Sequence, residues 1–228
     1  QDEAVSGVGR AGRLGVVGKV GRNPRARPRH SPSAIPRHPG FADRRIMTSR
    51  SAQPVTQGPK HHFFGFHDLV QWNAGGDLML ALEVDDIAHP PLPGQTALAG
   101  VLHPAARDFA PVAGTCAFNY PQGARQQWIG DSDRFLFNDR VNDGWGCRIA
   151  DARERKIVGT LPFSVHTHDS ISGDTFGMDY ARLHRVGGYG YTGLPDADAD
   201  DIPARSGIHK GNLNSARSEL LVSIRAVA

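Results

Sequence analysis

The feature that most constrains this chain is a turn followed by an apolar strand, met three times in the same order. Asn73-Ala-Gly-Gly-Asp77 precedes LMLALEV, Gly130-Asp-Ser-Asp133 precedes RFLFNDR, and Ser170-Ile-Ser-Gly-Asp174 precedes TFGMDYARL. The three aspartates lie 56 and 41 residues apart. Spacing of that order is what an architecture with one four-stranded sheet per repeat produces. Trp72 and Trp128 stand just before the first two turns and Trp145 lies further on. All three read as packing residues between sheets.

Each repeat also carries a second hairpin. Thr96–His103 and Phe109–Ala113 flank HPAAR, Trp145–Ala150 and Lys156–Leu161 flank DARER, and Gly207–Asn212 and Glu219–Ile224 flank LNSARS. A polar turn between two apolar runs is a hairpin signal. No window of twelve residues shows helical periodicity, and 27 glycines and 16 prolines suit turn-rich β structure. The sequence therefore predicts an all-β fold, a β-propeller fragment of about three four-stranded blades. A closed propeller needs at least four, so an arc of three is expected to leave a blade face and a strand edge open.

Charge divides the chain in two. Residues 1–50 hold 11 Lys/Arg and 3 Asp/Glu, whereas residues 51–228 hold 15 and 20. The net +3 thus averages a basic leader and an acidic domain. The leader, residues 1–57, is rich in Gly, Arg and Pro and is expected to be disordered. Gly7-x-Gly9-x-x-Gly12 matches a dinucleotide-binding string, but only six residues precede it, too few for the central strand that gives the string meaning. The domain is expected over residues 58–228. Met47 is a candidate start of translation, which would make the basic part upstream sequence. With the positive charge confined to the leader, nucleic-acid binding is not favoured.

No run of 18 apolar residues exists, so no membrane span is expected. No signal peptide is visible, which favours the cytoplasm, where Cys116 and Cys147 are expected as buried thiols rather than a disulfide.

Four segments carry a resemblance: His61-His-Phe-Phe-Gly-Phe-His-Asp68, Asn119-Tyr-Pro-Gln-Gly-Ala-Arg-Gln-Gln-Trp128, Phe137-Asn-Asp-Arg140, and Ala181-Arg-Leu-His-Arg185 with Gly188-Tyr-Gly-Tyr191. Together they resemble a bacterial family of propeller proteins similar to the oligogalacturonate lyases and to TolB-type propellers. The resemblance covers about residues 60–225. It implies a propeller fold and a carbohydrate-active or carbohydrate-binding role, with an acidic oligosaccharide or a protein as partner. In the lyases the metal-binding histidines and glutamine lie in later blades, so turnover is not expected from these blades. The Ser-Pro-Asp-Gly turn of such propellers is altered here to Asn73-Ala-Gly-Gly and Ser170-Ile-Ser-Gly.

The candidate ligand-binding residues are His67, Asp68, Arg125, Gln126, Asp139, Arg140, Arg182 and His184. They stand near the inner-strand ends of the repeats, where guanidiniums and amides would converge on an anion or on sugar hydroxyls. The competing reading is that pairs such as Asp139–Arg140 tie blades together. No catalytic residue and no cofactor is assigned. His61 and His62 point to opposite faces of one strand, and His166-Thr-His168 offers two imidazoles without a third ligand. No metal site is assigned from them. Tyr189 and Tyr191 lie in a Gly-rich loop, where stacking on a sugar ring and shaping of the turn both stay open. The aspartates of residues 195–203 lack the glycine and glutamate of an EF-hand. An enzyme and a non-catalytic scaffold for protein or glycan both stay open, because function belongs to sites rather than folds.

Overall fold

A computed structural model describes residues 51–196 and 202–228. The expected disorder of residues 1–57 falls for the most part on residues 1–50, outside the described residues, as do Asp198, Asp200 and Asp201. Strand makes up 40% and helix 6%, so the chain is all-β. The strands form three four-stranded antiparallel sheets, each a meander of consecutive strands. Sheet 1 holds β1 (His61–Phe63), β2 (Met79–Val84), β3 (Ala97–His103) and β4 (Asp108–Thr115). Sheet 2 holds β5 (Gln127–Trp128), β6 (Arg134–Val141), β7 (Gly144–Asp151) and β8 (Lys156–Leu161). Sheet 3 holds β9 (Thr167–His168), β10 (Asp174–Met178), β11 (Gly207–Asn212) and β12 (Ser218–Ser223).

Sheet 2 lies between the other two, and its alternation shows why. On β6, Phe135 and Phe137 join Leu78, Leu80, Leu82 and Val84 of sheet 1 in one core. Leu136, one residue out of phase, joins Cys147, Leu161 and Val165 in a second core, with Phe163 and Leu213 against it. Successive side chains on a strand point to opposite faces, so both faces of β6 are buried and its apolar run is nearly continuous. Burial of Phe135, Leu136 and Phe137, each wholly enclosed, is worth about 1.5–3 kcal/mol apiece. Both cysteines are free, Cys147 buried and Cys116 partly so.

The recurrent turns are hydrogen-bonded to one another. The Asn73 side-chain carbonyl accepts the amides of Asp77 and Leu78 at 3.1 and 3.0 Å, which closes the first turn. Its amide nitrogen donates to Asp133 of the second turn at 3.1 Å. The exposed Arg153 guanidinium joins the same carboxylates, to Asp77 at 2.8 Å and Asp133 at 2.8 Å. The Gly130 amide donates to the Ser170 hydroxyl of the third turn at 3.0 Å. Asp77 and Asp133 therefore act by fixing turns and joining neighbours, whereas Asp174 bonds Lys210 and Asn212 within its own sheet.

Two expectations are corrected. The third apolar run does not continue as a strand: β10 ends at Met178, and α1 (Tyr180–Gly187) follows. Asp179 caps it by accepting the Arg182 amide, and Gly188, in left-handed conformation at φ 72°, ends it. Tyr191 is not on a free loop. It is wholly buried and stacked on Tyr180, ring centroids 4.2 Å apart and planes 6° from parallel. Of the tryptophans, Trp128 packs in the first core as expected, whereas Trp72 is 45% exposed.

Candidate functional site

The short first strands β1, β5 and β9 bring three chain segments together at Arg125. This residue precedes β5 and has positive φ, 54°, which is costly for a side chain with a Cβ, about 1–3 kcal/mol. Two glutamines hold the backbone there. Gln126 Oε1 accepts the Ala124 amide at 3.1 Å, and Gln127 Nε2 donates to the Arg125 carbonyl at 2.9 Å. The guanidinium, only 1% exposed, lies in a fixed cradle. Nη1 and Nη2 grip the two Asp68 oxygens at 3.0 and 2.8 Å. Nε and Nη2 donate to the His166 carbonyl at 2.9 and 2.7 Å. One guanidinium thus clasps the segments that enter all three sheets, in the bidentate geometry that makes such pairs strong.

Further polar groups lie around the clasp. Asn138 Nδ2 donates to the Tyr191 hydroxyl at 2.9 Å. The Tyr191 ring is stacked on that of Tyr180, whose hydroxyl lies 2.9 Å from His166 Nδ1. Burial pushes both phenols well above their ordinary range, so both keep their protons. His166 Nε2 has no hydrogen-bond partner among the described residues. Burial, and then the Arg125 charge, depresses the His166 pKa, partly opposed by Asp68. The imidazole is neutral at pH 7.

His168 is fixed from both sides. Its Nδ1 faces Gln127 Oε1 at 3.4 Å and its Nε2 faces the Ser170 hydroxyl at 3.1 Å. Burial depresses its pKa as well. Both ring nitrogens of His168 thus have hydrogen-bond partners, and no group of three potential metal ligands occurs among the described residues. His62 faces Glu83 at 3.0 Å, while His61 is exposed, as expected of neighbours on a strand.

The candidate residues separate into four places. Asp68, Arg125 and Gln126 belong to the clasp, with His67 exposed beside it and its ring 4.1 Å from that of Phe66. Asp68 is held ionised, its pKa lowered chiefly by the Arg125 hydrogen bond, and its side chain is 42% exposed. Asp139 is buried, accepts the Cys116 amide at 3.2 Å and pairs with Arg148 on the neighbouring strand, while Arg140 is exposed. Arg182 lies on α1, nearly buried, 3.5 Å from Asp196. His184 is exposed and, with His89, lines a cavity of about 280 Å³. Arg125, Asp139 and Arg182 thus each have protein partners and do not meet in one funnel.

Tyr180 is the member of the site that pattern reading missed, whereas Gln127 and Asn138 stand in the runs from which the candidates Gln126 and Asp139 were taken. The run of two glutamines before Trp128 was visible, but only the fold separates their roles. Searches against family models, curated proteins and solved structures find no match for this chain.

Proposed function

We propose that the three sheets are consecutive blades of a β-propeller and that the end bearing the clasp binds a hydroxyl-rich ligand, a neutral saccharide, without transforming it. Three meandering four-stranded sheets that share cores face to face support the first part. The second part rests on one observation: the Asp68 carboxylate is pinned by a buried guanidinium yet remains 42% exposed. Beside it stands the half-buried His166, whose Nδ1 lies 2.9 Å from the Tyr180 hydroxyl and whose Nε2 has no partner among the described residues. A fixed carboxylate beside an imidazole nitrogen suits a hydroxyl, which both donates and accepts. Binding by such preset groups avoids the entropy of ordering them. An acidic saccharide fits less well, because Asp68 is an anion and the Arg125 guanidinium is enclosed.

The test is calorimetric titration of the full chain with neutral oligosaccharides and with oligouronates of equal length. At least one neutral saccharide is expected to bind with Kd below about 1 mM, and His166→Gln is expected to weaken it at least about tenfold. No saturable heat with any neutral saccharide, or unchanged affinity in H166Q, would overturn the reading.

A second reading, a scaffold for a protein partner, is favoured by a different observation. The outward strand of sheet 3 exposes Leu220 and Leu221 at 38% and 52%, next to Ile208 at 47%. Adjacent apolar side chains left open are common where proteins meet.

A further inference from the structure

A cavity of about 840 Å³ lies between sheets 2 and 3, with Tyr180, the partner of His166, in its lining. That volume falls within the range of small-molecule sites, roughly 300–1,000 Å³. Its apolar wall comes from Trp145 on β7, Phe163 in the link between β8 and β9, Met178 at the end of β10, and Leu194. The wall is preformed. Trp145 stands edge-on to Tyr191, ring centroids 5.4 Å apart at 76°, and Tyr191 is stacked on Tyr180.

Most polar groups of the cavity are already engaged. The Ser164 hydroxyl donates to the Met178 carbonyl at 3.1 Å, and the Ser206 hydroxyl donates to Asp179 at 2.9 Å. The other Asp179 oxygen caps α1 by accepting the Arg182 amide at 3.0 Å. Arg225 Nε donates to the Ile202 carbonyl at 3.2 Å. Asp143 and His209 also line the space, Asp143 at the exposed tip of the β6–β7 hairpin. Arg205 is an exposed cation that lines the same space and, like Asp143, forms no ion pair among the described residues.

We infer that this cavity binds a small organic anion with a flat apolar body, an aromatic carboxylate, whose ring lies against Trp145 and Phe163 and whose carboxylate reaches Arg205. The two serine hydroxyls already donate inward, so a polar ligand head gains its donors from the guanidinium. An exposed guanidinium offers two parallel N–H groups that match a carboxylate. The aromatic wall supplies area without ordering cost, because its rings are already fixed. This site is independent of the saccharide reading.

Calorimetry on the full chain with phenylacetate, acetate and 2-phenylethanol tests it. Phenylacetate is expected to bind saturably with Kd near about 0.1–1 mM, the other two at least about tenfold more weakly. Arg205→Gln, at an exposed position that burial does not constrain, is expected to weaken phenylacetate about fivefold or more. Trp145→Leu is expected to weaken it likewise. R205Q should leave saccharide binding intact, and oligosaccharide titration of R205Q lets either reading fail alone. Equal affinity for phenylacetate and 2-phenylethanol, or no change in R205Q, would overturn the assignment.

Discussion

Removing the Asp68 charge should destabilise the chain more than removing Arg125 itself. The asymmetry follows from exposure: the guanidinium is 1% exposed, the carboxylate 42%. In Asp68→Asn the guanidinium stays enclosed without its counter-charge. Breaking a buried pair from one side costs about 3–5 kcal/mol, and the half-exposed partner places this case at the lower end, about 3 kcal/mol. In Arg125→Met the carboxylate regains water, and the His166 carbonyl still accepts Gln127 Nε2 at 3.1 Å. What is lost is a set of hydrogen bonds whose net worth is about 1–2 kcal/mol. The backbone at 54° stays equally unfavourable, since Met and Arg both carry a Cβ. The double variant is expected to match R125M, which makes the coupling equal in magnitude to the D68N cost, about 3 kcal/mol. Urea unfolding followed by circular dichroism at pH 7 reads all four proteins, with unchanged m as the condition for comparing midpoints. For residues 51–228, about 3 kcal/mol lowers Tm by roughly 6–12 °C. A cost for D68N below about 1 kcal/mol, with no coupling to R125M, would refute the claim that the guanidinium is closed off from water.

Stability should also depend on pH through the same residues. Burial depresses both His166 and His168, so the folded chain resists protons that the unfolded chain accepts; stability is full above about pH 6.5 and falls as pH drops below it. Tm is expected to fall between about pH 7.5 and pH 5, less so in a His166→Gln, His168→Gln double variant, and a flat profile would contradict this. Asp68, held low chiefly by Arg125, adds stability that is full above about pH 4 and is lost on further acidification. Gly190→Ala should prove worse than Gly188→Ala. A Cβ at 190 meets the Tyr180 carbonyl oxygen and the His184 amide nitrogen, whereas one at 188 meets nothing and carries only the penalty of φ 72°, about 1 kcal/mol. Thermal melts of the two variants check the order, and G190A matching G188A would argue against the tight return of the chain onto α1.

Much of the sheet arrangement was legible because its causes are local. Turn residues at Asn73–Asp77, Gly130–Asp133 and Ser170–Asp174 precede β2, β6 and β10, and alternation along each run sets which face is buried. Helix α1 escaped because it has only eight residues, too few turns for periodicity to register, although Asp179 and Gly188 stand at its two ends.

By itself, then, the sequence determined strands, turns and the division of charge, all of which depend on neighbours along the chain. Only the tertiary structure decided what the polar residues do. Arg125 meets an aspartate 57 residues away and a carbonyl 41 residues away. Asn138 bonds a tyrosine 53 residues away. A guanidinium offered to a ligand and one clasping three segments read alike in one dimension. Burial and partners at long separation distinguish them, and those exist only once the sheets have packed.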